Sequence, residues 1–365
     1  MPSNTLPLNS QTSIDKLDIT VLICSRNSAN RISKVFDYLS VQKNIRNFSW
    51  EILIADYEST DDTKYICSYY AKEILKKVPM VFLEIQEQGK TPAIEEGFLN
   101  ARGEYICIVD DDNLPCEDYL SKAYKLMSSR DDIGVVGAKG EAIFEDAIHE
   151  PYWFKNFKGI YAIGDQGSEG YKTDREAFFW GAGSVFRKSA WLKAKEAGFI
   201  PKLNPARNSN NSEILSGFSG GEDPEMCYAV SLTGYKLWYE PELIYHHVIP
   251  KNRLNKDFLL KTVKGVSPSA AYLRLLSTYL GENNFKSKIK NIIWRNVTTH
   301  HIYMWLIFLR NCSLIIFSED DKYFKIKWSF YVLIFEVRGL ISIQSQYSQI
   351  KKTLLKVKEK LTFKN

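Results

Sequence analysis

Short apolar runs rich in β-branched side chains, alternating with helical spacers, predict an α/β fold: a mostly parallel central sheet flanked by helices, with a helical C-terminal appendage. Three observations carry this. Residues 18–24, 50–55, 80–84 and 105–109 have the length and side-chain type of strands buried on both faces. The segments between them repeat apolar residues at helical spacing, as in Ile32, Val35, Phe36 and Leu39. Acids and hydroxyls collect where strands end, at Ser25, Asp56 and Asp110 to Asp112, and ligands of open parallel sheets lie beyond the carboxyl ends of the strands.

In chain order, residues 1–17 are polar and read as a loose N-terminus. Strand 18–24 runs into Ser25, Arg26, Asn27 and Ser28, followed by helix 31–41. Strand 50–55 ends at Asp56, and Ser59 to Asp62 form a helix-start signal before helix 63–76. Strand 80–84, helix 92–101 and strand 105–109 complete the first half, with helix 118–129 and strand 133–138 closing it. From 141 to 172 the pattern weakens into aromatic, glycine-bearing loops, as expected of a substrate-shaping insertion. Residues 178–187 read as a strand entered through a tight glycine turn, followed by a helix from Ser189 and a polar loop at 204–212. A helix at 226–233 and a strand pair over 236–247 end this region. The expected division is a catalytic body at 18–253, with halves 18–140 and 141–253, and a basic amphipathic helical region at 254–365.

The net charge of +5 hides an asymmetry. From Lys251 onward there are 21 Lys and Arg against 7 Asp and Glu, so the first 250 residues are net acidic. A nucleic-acid binder would place its basic residues on the active face, so the acidic body argues against one. The cationic tail suits an anionic membrane surface. Six scattered cysteines without a Cys-x-x-Cys pair read as buried thiols in a reducing compartment. The first apolar segment, 19–24, is too short for the core of a signal peptide, so the expected location is cytosolic or peripheral on the inner face of the plasma membrane.

Three adjacent carboxylates at Asp110, Asp111 and Asp112 repel one another unless a cation sits among them, and hard divalent ions prefer oxygen ligands. A metal site at a strand's end follows; a solvated acidic turn is the alternative.

With these motifs in order, the chain resembles family 2 nucleotide-sugar glycosyltransferases of GT-A (Rossmann-like) fold, over roughly residues 19–253. The resemblance rests on residues 21–27, without the usual proline, and on a turn from Asp56 to Thr63 with Glu58 where glycine is usual. It continues through Asp110 to Asp112 as the Asp-x-Asp motif, Trp180 to Gly183, Gly220 to Glu225, and His247 to Pro250 with Arg253. It implies an inverting enzyme that moves a sugar from a nucleotide-sugar donor, UDP-linked by default, to a glycan or lipid-linked acceptor, with Mn²⁺ or Mg²⁺. Asp223 would be the base that deprotonates the acceptor hydroxyl. Ser25, Arg26, Asp56, Lys90, Asp110 and Asp111 would bind the donor. Asp110, Asp112 and His247 would hold the metal, Trp180 and Gly181 the acceptor, and Glu222 and Glu225 would bind the acceptor or orient the loop. The structural alternatives are a solvated Lys90, a core Trp180 and a helix-capping Asp223.

Two rival classes are a nucleotidyltransferase, which would want glycines after the first strand that residues 25–28 lack, and a non-catalytic sugar- or membrane-binding scaffold. For the tail, two readings stand: helices packed on the body or a second copy, giving a homo-oligomer, or a surface on anionic lipid. The apolar runs at 302–317 and 328–343 are broken by charges, short of the roughly twenty residues a membrane span needs.

Overall fold

A computed structural model describes residues 4–9, 16–87, 89–145, 149–172, 178–203, 220–280, 322–344 and 346–362, with scattered positions between 302 and 309. The strands are β1 (Asn4–Pro7), β2 (Leu17–Ser25), β3 (Trp50–Tyr57), β4 (Met80–Ile85), β5 (Gly103–Ile108), β6 (Asn113–Pro115), β7 (Ile133–Phe144), β8 (Gly170–Lys172), β9 (Val185–Arg187) and β10 (Lys236–Ile249). They form one sheet in the order β1-β4-β3-β2-β5-β9-β7-β10-β6, with β8 also paired to β10. The long pairings β2 with β3, β2 with β5, β3 with β4 and β7 with β10 are parallel, while the short strands β1, β6, β8 and β9 pair antiparallel. The sheet is therefore mixed, and parallel along its main axis.

Alternation along the strands separates two cores, because successive side chains point to opposite faces. Val21, Ile23, Ile52 and Ile54 face helices α1 (Ile32–Ser40), α2 (Thr63–Tyr69) and α4 (Tyr119–Ser129). Leu22, Cys24, Leu53 and Ala55 face α3 (Lys90–Asn100), α5 (Lys188–Glu196) and α6 (Glu222–Leu232). That second core also takes in α8 (Ser269–Leu280), α9 (Lys322–Gln344) and α10 (Tyr347–Thr362). A third cluster joins the 153–163 insertion, through Trp153, Phe154 and Phe157, to α7 (Lys256–Val266) and Phe324 of α9.

Four expectations are corrected. The N-terminus is not loose throughout, since β1 pairs with β4 from Asn4 opposite Glu84 to Pro7 opposite Val81. Of residues 178–187 only Val185–Arg187 is a strand, because Gly183 takes a left-handed φ of 66° and turns the chain before it can join a ladder. The strand pair at 236–247 is one strand, β10, whose register shifts between Tyr239 and Ile244; Pro241 lacks a ladder donor there and is absorbed by the irregularity. Helix α6 begins at Glu222, so the acids expected before the helix occupy its first turn.

The C-terminal helices pack on the body. Ile350, Leu354, Val357 and Leu361 of α10 are buried in the second core, which leaves its lysines on the outer face. The apolar stripe that suggested lipid is thus spent on protein. The run at 302–317 lies largely outside the described residues, and no described helix is long and apolar enough to cross a membrane.

Candidate active site

The chain leaves β5 and enters a turn in which the Asn113 amide donates to the Asp110 carbonyl at 3.0 Å. The three carboxylates of that turn have three different fates. Asp110 forms an ion pair with Lys90 Nζ at 2.8 Å, placed at the start of α3 after Gly89. Burial would lower the Lys90 pKa, but Asp110, Asp223 and Glu222 around it raise it well above its usual value. Lys90 is therefore a fixed cation among acids, not a solvated lysine.

Asp111 accepts from Arg31 Nη2 at 2.7 Å and from the Ser28 hydroxyl. It was expected to bind donor, yet its carboxylate is committed to these two groups and anchors the turn to the loop after β2. Arg31 and Ser28 were not singled out from sequence; a basic residue four positions after the Ser25-Arg26-Asn27 motif was the available signal.

Asp112 faces His247, with Nε2 3.4 Å from Oδ2, and Arg253 Nη1 at 3.2 Å. The backbone fixes this pairing: His247 lies opposite Asn113 in the β10–β6 ladder, and the Val248 amide donates to the Asp112 carbonyl at 2.9 Å. Burial would raise the Asp112 pKa, but His247, Arg253 and Lys90 bring it down to about 2. On the other side, His247 Nδ1 lies 2.7 Å from the Tyr161 carbonyl, which can only accept, so Nδ1 carries the proton. Nε2 is then a buried nitrogen without a hydrogen-bond partner, aimed at a carboxylate. A lone pair facing a carboxylate requires a cation or a proton between them, and the pair fits a divalent ion. Burial would depress the His247 pKa, and Asp112 raises it above the ordinary value.

Among the described residues, no group of three or more His, Cys, Asp and Glu side chains converges on a metal position. Of the expected set of Asp110, Asp112 and His247, the last two face each other, while Asp110 is turned to Lys90. A divalent ion accepts six or more ligands, so a bound diphosphate and water would have to complete the shell.

Gly220 and Gly221 precede α6 with φ of 139° and 98°, and carry the chain into a first turn containing Glu222, Asp223 and Glu225. Asp223 is pushed up to about 7 by burial and by Glu222, against the opposing pull of Lys90 and of the Gly181 amide that donates to it. Any Cβ at position 181 would overlap the Asp223 carboxylate, so only glycine permits this approach. A cavity of about 610 Å³ is lined by Asp110, Trp180, Glu222, Asp223 and His247. Trp180 thus borders the cavity, and Glu222 Oε2 is buried at its edge with no hydrogen-bond partner.

Glu225 does not join them. It is fully buried and accepts from the Lys202 and Leu203 amides at 2.7 and 3.0 Å, which clamps the 202–203 segment onto α6. Burial pushes its pKa up to about 7. Of the two roles expected for Glu225, these contacts agree with orienting the loop rather than with lining the cavity.

At the same carboxyl edge of the sheet, Ser25 is buried and donates to Ser28 Oγ at 3.0 Å. Asp56, 7% exposed, accepts from the Ser59 hydroxyl at 2.5 Å, and burial raises its pKa. Arg26 pairs with Glu58 at 3.5 Å. Glu58 adopts a left-handed φ of 60°, the conformation that the usual glycine would supply, so the turn keeps its shape despite the substitution.

Residues 20–192 match the family model described as Glycosyl transferase family 2. These residues carry a family 2 glycosyltransferase domain within the chain. The chain is 36% identical over 115 residues to a dolichyl-phosphate beta-glucosyltransferase of Saccharomyces cerevisiae, covering 30% of this chain and 34% of that protein. It is 32% identical over 134 residues to a Trichomonas vaginalis protein of the same description, covering 34% of this chain and 40% of that one. The match thus spans well under half the length of these relatives. The mannosyltransferase PcManGT of Pyrobaculum calidifontis, solved with GDP-Man and Mn²⁺, superposes with a TM-score of 0.54 at 16% identity, over 93% of this chain and 90% of that one. The chain thus has the GT-A-type fold with flanking helices that its sequence predicted, its sheet mixed but parallel in the long pairings.

Proposed function

We propose that this chain catalyses inverting transfer of a sugar from a nucleotide-sugar donor, UDP-linked by default, to a hydroxyl of a glycan or lipid-linked acceptor. The observation that carries the reading is Asp223: a half-buried carboxylate whose pKa desolvation and Glu222 push up to about 7, on a cavity shared with Asp110 and His247. A general base works best when its pKa lies near the working pH. The acceptor O–H gives its proton to Asp223, its oxygen bonds to the anomeric carbon, and the bond from that carbon to the diphosphate breaks. Lys90 holds a positive charge beside the departing phosphates, and Ser25, Arg26 and Asp56 border the nucleoside end of the sheet. Asp112 and His247 are the protein ligands for Mn²⁺ or Mg²⁺, which when bound supplies Lewis-acid neutralisation of the leaving diphosphate. The Mn²⁺ and GDP-Man in the PcManGT complex support a metal-bound nucleotide-sugar donor, and the names of the curated relatives support a lipid-linked acceptor.

The test is a panel of UDP-, GDP- and TDP-sugars with Mn²⁺, read as release of nucleoside diphosphate, with and without EDTA. Asp223→Asn should retain nucleotide binding and lose transfer by about 10²-fold or more. Full activity in that variant would remove Asp223 from the reaction.

A further inference from the structure

The cavity at Asp223 does not end in the glycosyltransferase domain. Its far wall consists of Thr262 and Val266 of α7, Ala270, Leu273 and Arg274 of α8, and Glu336 of α9. These helices are tied to the catalytic turn. The Ser269 hydroxyl donates to the Gly220 carbonyl at 2.5 Å, and the Tyr272 hydroxyl hydrogen-bonds Glu225. Gly339 lets α9 close against the backbone of Pro268, where any Cβ would overlap. At the end of this wall Arg274 and Glu336 form a two-pronged pair, Nη1 to Oε2 at 2.7 Å and Nη2 to Oε1 at 3.2 Å, with the Glu336 side chain 8% exposed.

The geometry points to α7–α9 as the acceptor-recognition wall and to Arg274–Glu336 as a specificity-determining pair for a neutral, hydroxyl-bearing part of the acceptor, beyond the hydroxyl that reacts. This rests on the transferase reading above. Three chemistries could occupy the far end, and the pair separates them. An anionic group would have to displace Glu336 and strand a buried carboxylate. A purely apolar chain would bring a charged pair no hydrogen-bonding group at all. Hydroxyl groups both donate and accept, so they can satisfy a guanidinium and a carboxylate already joined to each other. The same cavity is lined by the apolar or aromatic side chains of Leu273, Ala270, Val266 and Trp180, which suit the C–H face of a sugar ring.

The experiment is saturation-transfer NMR on the full chain with Mn²⁺ and UDP present, using maltose, lactose and chitobiose as hydroxyl-bearing probes and 1-octanol as the apolar one. At least one disaccharide should receive saturation from the wild type. Its affinity should fall tenfold or more in Arg274→Gln and Glu336→Gln, while UDP affinity, measured separately by calorimetry, stays within twofold. Leu273→Trp, which fills the cavity from α8 without touching the pair, should give the same loss and covers the case in which a pair variant does not fold. Saturation confined to octanol, no saturation of any disaccharide, or disaccharide affinity unchanged in the folded variants would overturn the inference. Absence of UDP binding in the wild type would instead count against the transferase reading, and the two failures are read from different signals.

Discussion

His247 Nε2 stands 3.4 Å from the Asp112 carboxylate with no hydrogen-bond partner of its own, while Nδ1 is held by the Tyr161 carbonyl at 2.7 Å. This relationship makes the two side chains one unit in the metal assignment. Removing either member, as Asp112→Asn or His247→Ala, should weaken Mn²⁺ binding in calorimetric titration by at least about tenfold, the loss usual even for groups that only orient a ligand. Asp110→Asn should cost less, because its partner is Lys90. Equal losses at 110 and 112 would return Asp110 to the ligand set.

Asp223 predicts a pH profile. With its pKa raised to about 7, the ionised base is lost as pH falls through 7, so kcat/KM should drop along an acid limb near that value. Lys90 pulls this pKa down, so Lys90→Met should move the limb to higher pH. Initial rates across pH 5 to 9 would decide, and a limb unmoved by Lys90→Met would separate the two groups.

The same residue bears on stability, and the sign follows from linkage. A carboxyl whose folded pKa is raised keeps its proton where the unfolded chain has released it, so stability falls as pH rises from about 4 to about 7. Asp223→Asn removes that penalty. Its melting temperature should exceed that of the wild type by roughly 2–5 °C at pH 8 and match it near pH 4. Thermal melts at the two pH values test this, and a shift of equal size at both would assign it to packing rather than ionisation.

Gly181→Ala should leave the fold and nucleotide binding intact while lowering transfer by about 10²-fold, because the new methyl group displaces the Asp223 carboxylate from its place. The readout is kcat against UDP affinity; a loss in UDP affinity alone would contradict the assignment.

Glu58→Gly should stabilise or be neutral, within about 1 kcal/mol, since relief of the left-handed backbone offsets loss of an exposed ion pair. Glu58→Val should destabilise by more, a β-branched residue being least suited to φ of 60°. Denaturant melts of the pair check the ordering.

Most of the frame was legible because strand length, β-branching and helical period are local signals. Asp110 to Asp112 and Asp223 were legible for a related reason: carboxylates at strand ends and helix starts stand out from the apolar pattern. What escaped was decided across the chain. Three adjacent aspartates look alike until Lys90, Arg31 and His247 each claim one. Glu225 resembled its acidic neighbours, and only the approach of the Lys202 and Leu203 amides made it a clamp. The apolar stripe of α10 is the same whether it meets lipid or protein, and packing against the second core settled which.

The ladder that sets His247 opposite Asn113 has a consequence for synthesis. Asp112 is synthesised well before β10, so its imidazole partner is added only when most of the sheet's strands have been made. On the proposed metal assignment, a truncated polypeptide ending before β10 keeps only one of the two ligands, so cation capture would report that synthesis has passed residue 247.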